Sequence, residues 1–160
     1  MFLLDTDIVS NTRKGQPHPR LLQWLQDSPP DSLAISAMTV MELEAGIGLV
    51  RAAGNARKAD ELSLWLDGLV SVGNPPVIPI DHRVARLYGR MFATPELKNF
   101  VLSPAGSRQP KSGGDLVLAA SAIIHDAAIV TNNARDFLEI HALFRLPGLY
   151  LPFTDEWLIA

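Results

Sequence analysis

The sequence contains no cysteine and no long uninterrupted run of apolar residues. Without cysteine, the 160-residue chain can form neither a disulfide bond nor a thiolate zinc site. Because no stretch approaches the roughly 18 apolar residues of a membrane span, we expect no transmembrane helix. The N-terminus lacks the basic start and the long apolar segment of a signal peptide, which favours a cytoplasmic protein.

Charged residues are also few, at 19% of the chain, and they leave a net charge of −3. This balance argues against a protein that coats nucleic acid by bulk attraction. It does not exclude an enzyme that acts on RNA, because a bound metal can reverse the charge of an acidic site. The hydrophobic content of 48% is typical of a globular protein, and the length favours one domain over residues 1–160.

Short apolar runs alternate with segments whose apolar residues recur at helical spacing. The predicted strands are 2–4, 33–35, 77–80 and 128–131, with 149–151 as a last edge strand. The predicted helices are 21–25, 37–50, 59–69, 81–91 and 116–125. This alternation predicts an α/β fold, a three-layer α/β/α sandwich on a short, mostly parallel sheet.

The same patterns predict finer features. Asp5-Thr6-Asp7 is expected to form a polar loop after the first strand, and 103–114 a long loop. The chain beyond 131 is expected to form a loose apolar tail. One face of the 37–50 helix is expected to carry Met38, Met41, Ala45 and Leu49.

Polar residues gather where the predicted strands end. In an open parallel sheet, ligands bind outside the carboxyl ends of the strands, so these residues are the candidates for chemistry. They are Asp5, Asp7, Glu42, Asp115, Asn132, Asn133 and Asp136. Each acid also has a purely structural interpretation. Asp115 and Asp136 are suited to helix capping, Glu42 to a solvated helix face, and Asp5 to a turn.

The acids taken together favour a site. Carboxylates that converge in one cleft repel each other and raise one another's pKa, and a bound cation relieves this cost. Oxygen ligands of this kind suit Mg²⁺ or Mn²⁺. A metal ion held in this way can orient an attacking water and neutralise charge on a phosphate, which suits phosphodiester hydrolysis.

Four blocks of the sequence resemble the PIN domain, and more closely the toxins of the VapC type in bacterial toxin–antitoxin pairs. The blocks are LLDTD at 3–7, ISAMTVMELEAG at 35–46, DLVLAASA at 115–122 and IVTNNARDF at 129–137. Each block alone is a weak motif, and their order along the chain makes the resemblance specific. It spans the chain from Phe2 to about Phe137.

The resemblance implies a metal-dependent endoribonuclease that uses Mg²⁺ or Mn²⁺. The catalytic and metal-binding acids that it implies are Asp5, Glu42, Asp115 and Asp136. Supporting residues that would position these ligands and water are Thr6, Asp7, Thr131 and Asn133. The resemblance also implies an RNA substrate, a cognate DNA-binding antitoxin and a homodimer, with no role for a membrane.

Basic residues near these blocks are candidates for phosphate contacts, with solvated loop positions as the alternative. They are Arg13, Lys14, Arg108, Lys111 and Arg135.

Two other functions fit parts of the sequence. The strand followed by Asp5-Thr6-Asp7 also resembles the opening of haloacid-dehalogenase-type phosphatases, in which the first Asp is a covalent nucleophile. Such a phosphatase needs a later Lys, and no lysine follows Lys111. The second alternative is a catalytically inactive PIN fold that only binds RNA or a partner.

Overall fold

The computed structural model describes residues 1–102 and 113–160. Most of the predicted 103–114 loop, together with Arg108 and Lys111, lies outside the described residues. The described strands are β1 Phe2–Leu4, β2 Leu33–Ser36, β3 Val77–Ile78, β4 Ala128–Val130, β5 Gly148–Leu151 and β6 Glu156–Ile159. The described α-helices are α1 Thr6–Thr12, α2 Pro19–Asp27, α3 Ala37–Ala52, α4 Ala56–Val72, α5 His82–Phe92, α6 Gly114–His125 and α7 Ala134–Leu143. Short 3-10 helices cover Pro30–Ser32 and Pro95–Phe100.

The strands form one six-stranded sheet in the order β3-β2-β1-β4-β5-β6. All neighbouring pairs are parallel except β5 and β6, which are antiparallel. The prediction of a mostly parallel sheet is therefore confirmed. β1 lies between β2 and β4, so the residues that follow these three strands meet at one edge of the sheet.

Alternate residues of the strands face opposite layers of the molecule, as the two-residue period of a strand requires. Leu3 and Ile129 pack in one buried cluster with helices α5 and α6. Leu4 and Val130 pack in a second cluster with helices α1 and α2. Helices thus cover both faces of the sheet, which confirms the three-layer α/β/α sandwich.

The strand 149–151 is not the edge strand that we expected. The chain turns after β5 and returns as β6, which pairs with β5 and takes the edge position. Leu149 and Tyr150 are buried as a result. The region after 131 is not a loose tail either, because α7 buries Phe137 and Ile140 at helical spacing before β5 begins.

Two helical details also differ from expectation. Asp5-Thr6-Asp7 is not a loop, because the Asp5 carboxylate accepts the Thr6 amide and caps α1 at once. In α3, Met38 is buried, but Met41 and Leu49 are about half exposed. The position of α4 determines which side of α3 is buried, since Ile47 of α3 packs in a cluster with Ala59 and Leu66 of α4.

The described helices include none that is long and apolar enough to cross a membrane.

Candidate active site

Asp5 lies at the centre of the site because β1 lies between β2 and β4. Its backbone amide extends the β1–β4 pairing by donating to the Val130 carbonyl at 3.0 Å. Thr131 follows β4, and its hydroxyl donates to Asp5 Oδ2 at 2.8 Å. The other carboxylate oxygen, Oδ1, accepts the Thr6 amide at 2.6 Å. Both oxygens are therefore held in place, on a side chain that is only 9% exposed.

The surroundings of Asp5 disfavour its charge. Burial, followed by repulsion from Asp7, raises the pKa of Asp5 from 3.8 to about 7, and Asp115 adds further repulsion. The hydrogen bonds from Thr131 and Thr6 oppose this rise without cancelling it. The contribution of Asp115 means that residues 110 positions apart in sequence share one electrostatic environment. A bound cation would relieve this repulsion.

Glu42 joins the site from the second turn of α3. Ser36 caps this helix by accepting the Met38 amide at 3.1 Å, so the helix begins directly where β2 ends. The hydroxyl of Thr6 donates to Glu42 Oε2 at 2.5 Å. The hydroxyl of buried Thr39 lies 3.5 Å from the Leu4 carbonyl. These bonds connect the start of α3 to the end of β1 and orient the Glu42 carboxylate.

The loop after β4 forms the next part of the site. Asp7 Oδ2 accepts the Asn132 amide at 3.0 Å, and the Thr131 hydroxyl accepts the Asn133 amide at 3.0 Å. The Asn133 side chain donates to Asp136 Oδ2 at 3.2 Å. Burial raises the pKa of Asp7, while backbone amides and Lys14 act against the rise. Asp7 and Asn133 therefore shape this loop through their hydrogen bonds.

Asp115 lies in the first turn of α6. The capping position is occupied by Gly113 and not by Asp115, contrary to the cap interpretation. Gly113 has a φ of +66°, and a Cβ there would lie 3.2 Å from both the Tyr88 hydroxyl and Val101 Cγ1. Glycine at this turn lets the chain enter α6 with the half-buried Asp115 directed at the site.

A cleft of about 290 Å³ opens at this edge of the sheet. The structure brings together around it three of the predicted acids, Glu42, Asp115 and Asp136. A fourth acid, Glu139, also lines the cleft and was not predicted. The sequence feature that could have indicated Glu139 is its spacing of three residues from Asp136, which places both on one face of α7. Asn99 also lines the cleft, and no sequence pattern indicated it.

The donor chemistry of the cleft suits a hard divalent cation, since every acidic ligand offers carboxylate oxygens. Within residues 1–102 and 113–160, no three His, Asp or Glu side chains are close enough together to hold a metal ion. Mg²⁺ does not need such a cage, because it commonly keeps several waters and uses only one or two carboxylates. Asp115 is close enough to Asp5 to repel its charge, and both side chains offer the carboxylate oxygens that Mg²⁺ prefers.

The basic candidates are spread around the site. Arg13 lies over the Trp65 ring, with its guanidinium carbon 5.5 Å from the ring centre. Lys14, the next residue, lines a different pocket together with His18. Arg135 is exposed in the first turn of α7.

Comparisons with known proteins identify relatives of this chain. Toxin FitB of Neisseria gonorrhoeae is 26% identical over 86% of this chain and 91% of its own. The VapC ribonuclease Y4jK of Sinorhizobium fredii is 27% identical over 86% of this chain and 90% of its own. A solved structure of FitAB bound to the IR36 DNA fragment superposes with a TM-score of 0.70. It is 23% identical and covers 98% of each chain.

The family model of the PIN domain matches residues 2–143, which is most of the chain. This range contains the ends of β1, β2 and β4 and every acid of the cleft. The chain therefore belongs to the PIN-domain family.

Proposed function

We propose that this protein is a metal-dependent endoribonuclease that acts as the toxin of a toxin–antitoxin pair. The observation that carries the proposal is the acidic site itself. Glu42, Asp115, Asp136 and Glu139 surround one cleft. Burial, with repulsion from Asp7 and then from Asp115, raises the pKa of Asp5 to about 7. A carboxylate held where burial and repulsion disfavour its charge costs folding free energy, so it is expected where a cation and a phosphate bind.

Mg²⁺ or Mn²⁺, when bound, supplies an oriented water of lowered pKa and neutralises charge on the scissile phosphate. Asp5 and Asp115 would hold the metal ion. The Thr131 and Thr6 hydroxyls hold Asp5 and Glu42 in fixed orientations by donating to their carboxylates. Fixed carboxylates lose little orientational freedom during the reaction, which is the physical value of such supporting hydrogen bonds.

The proposal includes a partner. FitB is named a toxin, and the solved FitAB complex is bound to DNA. We therefore propose that a cognate DNA-binding antitoxin neutralises this chain, and that the active form is a homodimer. Trp157 is about half exposed on the edge strand β6 and remains available for one of these contacts, whereas Leu149 is fully buried. Since the RNA substrate lies in the cytoplasm, the proposal places the protein there.

A cleavage assay tests the catalytic part. Purified protein without antitoxin is incubated with end-labelled RNA and Mg²⁺ or Mn²⁺, with and without EDTA. We expect cleavage with metal and none with EDTA. Because outer partners of metal ligands typically cost 10–100-fold when removed, we expect Asp5→Asn and Glu42→Gln each to lose at least about 100-fold. Asp67→Asn makes the same chemical change as Asp5→Asn on an exposed face of α4 and should cleave normally.

The same assay separates the alternatives. A phosphatase that uses Asp5 as its nucleophile would tolerate Glu42→Gln and would release phosphate without cutting the RNA chain. An inactive PIN fold would show no cleavage with either metal. In cells, expression without antitoxin should arrest growth, and Asp5→Ala should relieve the arrest. An arrest that persists in Asp5→Ala argues against catalysis as its cause.

A further inference from the structure

A second depression, here called the side groove, lies next to the acidic cleft. It has a volume of about 280 Å³ and lies between helices α1, α3 and α4. Thr6, Ser10 and Arg13 form its α1 wall. Aliphatic side chains of α3 and α4 form the rest together with Gly46 and Trp65.

The two walls of the side groove differ in chemistry. Thr6, Ser10 and Arg13 are spaced by four and three residues, and Arg13 is the C-cap of α1. They therefore lie on one side of this helix and present two hydroxyls and a guanidinium. The opposite wall is apolar and ends at the ring of Trp65, over which Arg13 is placed at 5.5 Å. A ligand that fits both walls has one flat apolar side and one anionic, hydrogen-bonding side.

Arg13 keeps its hydrogen-bonding capacity open. In the described parts of the chain, the ion pairs of arginine involve Arg51, Arg57 and Arg83, and Arg13 forms none. Its guanidinium instead rests on the Trp65 ring, which restricts its position without using its N–H donors. A restricted arginine with open donors is well suited to bind a phosphate through two hydrogen bonds.

The side groove adjoins the acidic cleft at Glu42. Glu42 lines both, and Thr6, which lines the groove, donates to the Glu42 carboxylate. A ligand in the groove therefore lies one side chain away from the proposed site of cleavage. The neighbour of a scissile phosphate in RNA is a nucleotide, with a base on one side and a phosphate on the other.

We propose that the side groove binds the nucleotide adjacent to the scissile phosphate. Its base packs against Trp65 and the aliphatic wall, and its phosphate binds Arg13. This inference rests on the proposed ribonuclease function and names a substrate subsite for it. A purely apolar peptide segment fits less well, because it would cover Arg13 and the Ser10 hydroxyl without offering acceptors, and unsatisfied donors are costly when buried.

Gly46 allows a direct test, because a Cβ built at this position meets no atom within 4 Å. Gly46→Leu therefore extends a side chain into open groove space without a clash at its Cβ. Replacing glycine inside a helix also favours folding, by roughly 0.5–1 kcal/mol. Gly48→Leu is the matched control, since Gly48 lies on the same helix, has an equally open Cβ position and does not line the groove.

Binding is measured by fluorescence anisotropy with a short fluorescein-labelled single-stranded RNA in EDTA, so that no cleavage occurs. The loss of base stacking predicts that Gly46→Leu raises the Kd about tenfold, while Gly48→Leu leaves it unchanged. In the cleavage assay, Gly46→Leu should raise KM more than it lowers kcat. A melting curve for each variant confirms that it is folded.

Arg13→Gln tests the phosphate contact independently. It should weaken RNA binding and reduce the slope of log Kd against log salt by about 0.7, the value for one phosphate contact on a single strand. Arg51→Gln is the control, because it removes the same charge from an arginine that pairs with Asp60 at 2.8 Å. It should leave the contact between Arg13 and the RNA phosphate intact and the slope unchanged.

The outcomes are distinguishable. If Gly46→Leu and Arg13→Gln bind and cleave RNA like the wild type, the subsite is refuted. If they lose only inhibition by the antitoxin, the groove is a protein-docking site and the inference is also refuted. If the wild type binds RNA but never cleaves it, while both variants weaken binding, the ribonuclease proposal fails and RNA binding by the groove is supported.

Discussion

The raised pKa of Asp5 leads to a sharp prediction about stability. In the unfolded chain Asp5 ionises near 3.8, and in the folded protein near 7. Between these values the folded state holds a proton that the unfolded state has lost, so stability falls as the pH rises through this window. At roughly 1.4 kcal/mol per pKa unit, the full effect is about 4 kcal/mol without metal. Asp5→Asn removes this penalty, because the amide carries no charge.

The substitution also has a cost that the hydrogen bonds define. An asparagine can still accept the Thr6 amide and cap α1. Its NH₂ group, however, would face the Thr131 hydroxyl, which already accepts the Asn133 amide. The lost hydrogen bond costs about 1 kcal/mol. We therefore expect Asp5→Asn to be more stable than the wild type by about 2–3 kcal/mol at pH 8, and to lose this advantage near pH 5.

Urea denaturation in EDTA between pH 5 and pH 8 measures the effect, with Asp67→Asn as an exposed control expected within about 0.5 kcal/mol of the wild type. Mg²⁺ then provides a second readout. At ten times its Kd it should stabilise the wild type by about 1.4 kcal/mol and Asp5→Asn far less. If Asp5→Asn is destabilised equally at pH 5 and pH 8, the folded site does not disfavour the Asp5 charge, and the argument for a cation there fails.

Four other substitutions test separate features. Thr6→Val removes the hydroxyl that orients Glu42 and should lower cleavage about 10–100-fold, measured as kcat with the fold checked by circular dichroism. Glu139→Gln should change the rate of cleavage in Mg²⁺ and leave the melting temperature nearly unchanged, since Glu139 is exposed. If the variant cleaves RNA at the wild-type rate, Glu139 is not part of the site. Gly148→Ala places a Cβ 2.8 Å from that of Ala128 and should destabilise by about 1–3 kcal/mol in urea. Phe137→Ala in α7 should cost about 3–5 kcal/mol, because this ring is fully buried.

Much of the fold could be predicted because its strands and helices have clear periods. The predicted strands 2–4, 33–35 and 128–131 correspond to β1, β2 and β4. Asp5 and Glu42 follow the first two strands and Asp115 precedes the third, as expected. Prediction failed where burial depends on distant partners. Leu49 was predicted to share one face of its helix with Met38, but the position of α4 leaves Leu49 about half exposed.

The candidate site also contains residues that could be predicted from the sequence and residues that were not. The positions of Asp5, Glu42, Asp115 and Asp136 were predictable because polar residues at strand ends stand out from apolar runs. Glu139 was missed because the chain after 131 was predicted to form a loose tail, and only the formation of α7 places it beside Asp136.

By itself, the sequence determined that the segments of β1, β2 and β4 are strands and which acids follow them, because these features depend on residues that are near one another in the chain. The tertiary structure decided which groups meet. The order of β2, β1 and β4 places the Thr131 hydroxyl 2.8 Å from Asp5 Oδ2. The pKa of Asp5 was also decided at this level, because its burial, which is the largest cause of the rise, and its repulsion by Asp115 exist only after the chain has folded.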